Sequence, residues 1–185
     1  MKKNEIPYVT QRLRTLIGQP LQCAGYAADM LTLSFGRAGE FSLHIQCSYR
    51  LASEDTILFD RIDYFVPSEA VEARWRAAGL EEADFPRDWE DRDCRLFERV
   101  QALQSRLAEM RVEDVAVSLL GDVTIRFSGG MTLLALPMAS DEAECWRFWN
   151  DALWPDEHMV VCGDHVELHG QGERCCGISA ESVDN

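Results

Sequence analysis

Phe41-Ser42-Leu43-His44-Ile45-Gln46-Cys47-Ser48-Tyr49-Arg50 is the stretch that decides the fold class. Apolar and polar residues alternate through it without a break. Phe41, Leu43, Ile45, Cys47 and Tyr49 therefore point to one side of an extended chain, and Ser42, His44, Gln46, Ser48 and Arg50 to the other. A strand with one apolar and one polar face belongs in an antiparallel sheet covered on one side. Upstream, Gly36 and Gly39 bracket a turn, residues 30–35 alternate in the same way, and residues 21–26 read as a weaker strand. Downstream, Ser53-Glu54-Asp55 is a polar turn, and the apolar run 57–66 reads as one more strand, stopped by Pro67.

The middle of the chain changes period. Ser68 is placed to cap a helix that runs to residue 78 and stops at Gly79. Leu96, Val100, Leu103, Leu107 and Met110 recur at spacings of four and three, which predicts a helix over 93–110 with one face to bury. A short amphipathic helix is expected over 8–17, ended by Gly18 and Pro20. Strands return at 112–119, 123–127 and 131–136, with Gly121-Asp122 and Gly129-Gly130 as hairpin turns. Ser140, Asp141 and Glu142 resemble the start of a helix reaching residue 150. A last hairpin is expected at 159–168 around Gly163-Asp164.

The two β-rich stretches match each other. Residues 31–35 align with 123–127, 41–46 with 131–136, and 57–59 with 159–161. The expectation is an α+β fold, mostly antiparallel sheet in two related β-rich halves with helices packed on one side. One domain would span 1–169, its halves at about 18–67 and 112–169 joined by helices within 68–110, with 170–185 as a flexible tail.

Composition narrows the function. The 185 residues are 46% hydrophobic and 27% charged, a globular balance. No apolar run is long enough for a transmembrane helix, and no apolar signal core follows Met1-Lys2-Lys3, so a cytoplasmic protein without membrane contact is expected. A net charge of −14 argues against nucleic acid and favours a basic protein partner, cations or simple solubility. The seven cysteines include no Cys-x-x-Cys pair and read as reduced, mostly buried thiols.

Four groups of residues carry chemistry. The acids of 81–93, among them Asp84, Asp88, Glu90 and Asp91, face only Arg87 and Arg92. A second acidic stretch contains Asp141, Glu142, Glu144, Asp156 and Glu157, and the tryptophans Trp146 and Trp149 lie within it. Tryptophan beside carboxylate suits docking to a basic surface. These eleven residues form the expected partner-binding set. His44, Gln46 and Arg50 on one strand face, with Asp63 on a neighbouring strand, form an alternative site for a small ligand or for acid–base chemistry. Cys162, His165, His169, Cys175 and Cys176 are metal-ligand types, but their spacing matches no zinc signature, so neither metal nor cofactor is expected. No nucleophile elbow, phosphate loop or dinucleotide fingerprint is present, so no catalytic residue is assigned and an enzyme is not expected.

Several segments resemble a family of bacterial cytoplasmic proteins with no established activity. The resemblance is carried by Ala27-Ala28-Asp29-Met30, Phe35-Gly36, residues 43–50, Asp63-Tyr64-Phe65-Val66-Pro67, Phe127-Ser128-Gly129-Gly130-Met131-Thr132-Leu133, Trp146-Arg147-Phe148 and His158-Met159-Val160-Val161. Phe59-Asp60-Arg61 stands where that family has a small Gly/Ser turn. By analogy of size, acidity and architecture, the resemblance implies a protein of the immunity type that neutralises a toxin. The functional expectation is a non-enzymatic acidic protein that sequesters a basic partner.

Overall fold

The alternation of residues 41–49 is kept in three dimensions, with Phe41, Leu43, Ile45, Cys47 and Tyr49 all buried, yet the chain changes sheet in the middle of it. The computed structural model describes residues 2–86, 91–107, 109–150, 153 and 157–170. The first half runs α1 (Ile6–Leu13), a 3-10 turn (Arg14–Leu16), β1 (Leu21–Ala27), β2 (Met30–Phe35), β3 (Phe41–Ile45), β4 (Ser48–Ala52), β5 (Ile57–Asp60) and a 3-10 helix (Arg61–Phe65). After α2 (Glu69–Ala77), the second half runs α3 (Arg95–Leu107), β6 (Val112–Val117), β7 (Val123–Phe127), β8 (Met131–Leu136), β9 (Glu144–Asn150), β10 (His158–Cys162) and β11 (Val166–His169). The fold is α+β.

Two antiparallel sheets result, and each takes strands from both halves. One has six strands in the order β1-β2-β3-β9-β10-β11, the other five in the order β5-β4-β8-β7-β6. Read from β6, the second sheet repeats the first five strands of the other: a three-strand meander from one half, then a strand pair from the other half (β4-β5 or β9-β10), to which the first sheet adds β11. The irregularities repeat too. β1 carries a bulge between Leu21 and Cys23 opposite Phe35, and β6 carries one between Val112 and Asp114 opposite Phe127. The halves clasp reciprocally at these strand starts. Leu21 N–H donates to the Met110 carbonyl at 2.7 Å, and Val112 N–H donates to the Gln19 carbonyl at 3.0 Å. Each half's leading helix packs on the other half's first strand, α1 on β6 and α3 on β1. This is the self-complementary logic of a twofold dimer interface, carried within one chain.

The core lies between the sheets. Phe35 and Phe127 stack there with ring centroids 6.4 Å apart and planes 4° from parallel. Trp146, Phe59, Phe148, Leu43 and Leu133 fill the space around them, and Val9, Leu13, Leu96, Val100 and Leu103 join from the helices. Full burial of side chains this large contributes roughly 1.5–3 kcal/mol each. Four of the described cysteines (Cys47, Cys94, Cys145 and Cys162) are buried, Cys23 is exposed, and all five are free thiols. Among the described residues, no helix is long and apolar enough to cross a membrane.

Three local expectations need correction. Residues 144–150 form a strand, not a helix, with Trp146, Phe148 and Asn150 inward and Arg147 and Trp149 outward. The aromatic side chains have β preference, and β3 and β10 flank the segment on both sides. Residues 41–50 are two strands, because β3 pairs with β2 and β9 whereas β4 pairs with β5 and β8. The run 57–66 is a strand only to Asp60. There the Asp60 carboxylate caps the backbone N–H groups of Ile62 and Asp63, and Asp63 returns a bond to Asp60 N–H.

Candidate functional site

The acidic partner-binding set divides by exposure. Asp84, in a 3-10 turn after α2, is exposed, and so are Asp141 and Glu142 on the crossing between β8 and β9. Glu81 and Glu82 beside Asp84 are exposed as well. Two acids are already engaged within the chain: Glu144 grips Arg147, its Oε1 accepting from Arg147 Nε at 2.6 Å, and Glu157 pairs with Arg12 of α1. Trp146 is a core residue rather than a contact residue. It is 0% exposed, and its indole N–H donates to the Gly121 carbonyl at 3.2 Å. Asp88, Glu90 and Asp156 lie outside the described residues, as do the side chain of Asp91 and the tail with Cys175 and Cys176.

The alternative ligand site is not assembled. His44 lies in the six-stranded sheet and Arg50 in the five-stranded one, where it is exposed beside Asp60. Gln46 is at the crossing between them, its N–H donating to the Cys145 carbonyl at 2.9 Å. Asp63 is not on a strand. It is buried in the 3-10 helix, where its carboxylate accepts from Arg99 at 3.2 Å and lies 3.8 Å from Arg95. Its role is to tie that helix to α3.

What the sheet does assemble is a face bearing all four histidines of the chain. Cross-strand partners share a face, and the register places His44 beside Arg147, Ser42 beside Trp149, Trp149 beside His158, and His158 beside His169. Trp149 lies between two imidazoles. The His158 ring stacks on it with centroids 4.7 Å apart, and the His44 ring meets it edge-on at 4.5 Å. Partial burial lowers the His44 pKa, and the nearby Arg147 guanidinium lowers it further.

The edge of this face is the β10–β11 hairpin. A ligand atom from each of Cys162, His165 and Glu167 lies within 4.8 Å of the others. Glu167 links two imidazoles: its Oε1 is 2.8 Å from His165 Nε2, and its Oε2 is 2.6 Å from His169 Nε2. The other nitrogen of His165, Nδ1, faces the Asp164 carboxylate. Burial pushes the Cys162 thiol up to about 11, with Glu167 and Glu144 adding to it. Hydrogen bonds from His165 and His169 lower Glu167. The hairpin turns tightly at Gly163, where a Cβ would stand 2.5 Å from the Ala139 carbonyl oxygen. Sequence reasoning named Cys162, His165 and His169 but missed Glu167. The signal was His165-Val166-Glu167-Leu168-His169, a period of two that puts three polar side chains on one strand face.

No family model, curated protein or solved structure matches this chain.

Proposed function

We propose that this chain is a non-enzymatic acidic binding protein that sequesters a basic protein, in the manner of an immunity protein that neutralises a bacterial toxin. The distribution of charge carries the reading. Eight arginines (Arg12, Arg61, Arg74, Arg76, Arg95, Arg99, Arg126 and Arg147) are held in ion pairs within the chain. Glu81, Glu82, Asp84, Asp141 and Glu142 are exposed and form no ion pair among the described residues. A chain of net charge −14 with its acids at the surface draws a cationic protein in by long-range steering.

The test is capture from a lysate of the source organism at low and then high salt. The retained protein is then purified and its association rate measured. The expected partner is basic and lost at high salt. Its association rate falls at least about tenfold for the Glu81→Lys/Glu82→Lys/Asp84→Lys variant. Absence of a basic partner at low salt, or equal association with wild type and variant, overturns the reading.

A further inference from the structure

We propose that the β10–β11 hairpin is a binding site for a zinc-type divalent cation, held by Cys162 Sγ, His165 Nε2 and the Glu167 carboxylate. The three ligand atoms already lie within 4.8 Å of one another. Zinc bonds of about 2.0–2.3 Å place neighbouring ligand atoms roughly 3.4 Å apart in a tetrahedron, so small side-chain adjustments complete the site. The fourth position is left to water.

The surroundings are those of a built site. The Asp164 carboxylate holds His165 Nδ1, which leaves Nε2 as the nitrogen facing Glu167, at 2.8 Å from its Oε1. A carboxylate behind a metal-facing imidazole fixes the ring's tautomer and orientation and raises its basicity as a ligand. His169 steadies the second oxygen of Glu167 in the same way, at 2.6 Å. Cys162 is 5% exposed next to the turn of the hairpin, opposite Glu144 on the neighbouring strand. Glu144 near the thiol is already paired with Arg147, which leaves Glu167, within ligand distance of Sγ, and Asp164 behind His165 as the carboxylates whose charge a cation offsets. As the Sγ–metal bond forms, the thiol proton leaves to solvent. One sulfur, one imidazole and one carboxylate favour zinc over calcium or magnesium, which prefer oxygen alone.

The full-length chain, stripped with a chelator, is titrated with Co²⁺ and, in competition with a chromophoric chelator, with Zn²⁺. The expected result is one equivalent bound with a thiolate-to-cobalt charge-transfer band. That band disappears in Cys162→Ser. Zinc affinity falls by at least ~100-fold in Glu167→Gln and His165→Asn, beyond the roughly 10–100-fold that a supporting residue such as Asp164 contributes. Both of those side chains are partly exposed, so they carry the test if Cys162→Ser fails to fold. The Cys175→Ser/Cys176→Ser variant retains the band. No band in wild type, or a band kept in Cys162→Ser and lost in the Cys175→Ser/Cys176→Ser variant, overturns the proposal.

Discussion

The two crossings between the sheets occupy the same place in the two halves and differ in length. From β3 to β4 the chain crosses in two residues, Gln46 and Cys47, and both N–H groups donate to the Cys145 carbonyl at 2.9 Å. From β8 to β9 it takes the seven residues 137–143, which carry the exposed Met138, Asp141 and Glu142. The halves part again at their ends. After β5 the chain coils into a 3-10 helix with Asp63 buried between two arginines. After β10 it turns at Gly163-Asp164 and adds β11, which has no counterpart in the first half. The parts that repeat hold the core. The parts that do not repeat carry the exposed acids Glu81, Glu82, Asp84, Asp141 and Glu142, together with His165 and Glu167, which follow Cys162 at the end of β10. A scaffold used twice leaves freedom to vary where the chain leaves it.

The comparison breaks most readily at its centre. Phe35→Ala and Phe127→Ala remove facing rings of the shared core, and each is expected to cost about 3–5 kcal/mol in urea unfolding. Equal losses support equivalent roles, whereas a difference above about 2 kcal/mol would show one half dominating the core. At the half ends, Asp63→Asn removes a buried charge-assisted anchor and is expected to cost about 1.5–3 kcal/mol by the same measurement. Glu157→Gln breaks the part-buried pair with Arg12, in which the carboxylate is 32% exposed against 7% for Asp63, and should cost less, about 1 kcal/mol. Equal values would remove the contrast between a buried and a partly exposed carboxylate.

Gly163→Ala pushes a Cβ against the Ala139 backbone and is expected to lower stability by about 1–3 kcal/mol. A neutral result would mean that the long crossing yields freely, unlike the short one. The smallest effect is the pH response of the histidine face. Folding lowers the His44 pKa, so the folded state binds its proton less readily than the unfolded state does. Its contribution is complete above the ordinary imidazole value of about 6.5 and is lost as pH falls through the lower folded value. His44→Gln should flatten that part of the stability–pH curve, and proton NMR should find His44 titrating below a model imidazole. Titration at or above the model value would contradict the packing against Trp149 and Arg147.

Much of the fold is legible in the residues. The alternations at 31–35, 41–49, 123–127 and 131–136 mark buried faces correctly, and Leu96, Val100, Leu103 and Leu107 mark the buried stripe of α3. Two things are not legible. Alternation reports which side of a strand is buried and is silent on its partners, so β3 and β4 read as one strand. Cys145, Trp146, Phe148 and Trp149 fit a helical stripe as well as a strand, and a Ser-Asp-Glu start favours the helix. Only the two flanking strands decide it. The candidate sites divide in the same way. Exposed acids are visible as composition. The convergence of Cys162 and His165 with Glu167 depends on how the hairpin turns.

The sequence by itself determined the class of structure, the two related halves and the acidic surface, because periodicity and charge are local properties of a chain. The tertiary structure alone decided that each sheet is shared between the halves, that Trp146 belongs to the core, and that four histidines share one face. Those outcomes depend on pairing between residues far apart in the chain. A local pattern tells a strand to pair but not with which partner, and the partner is set by the register and bulges that let both halves bury their apolar faces together.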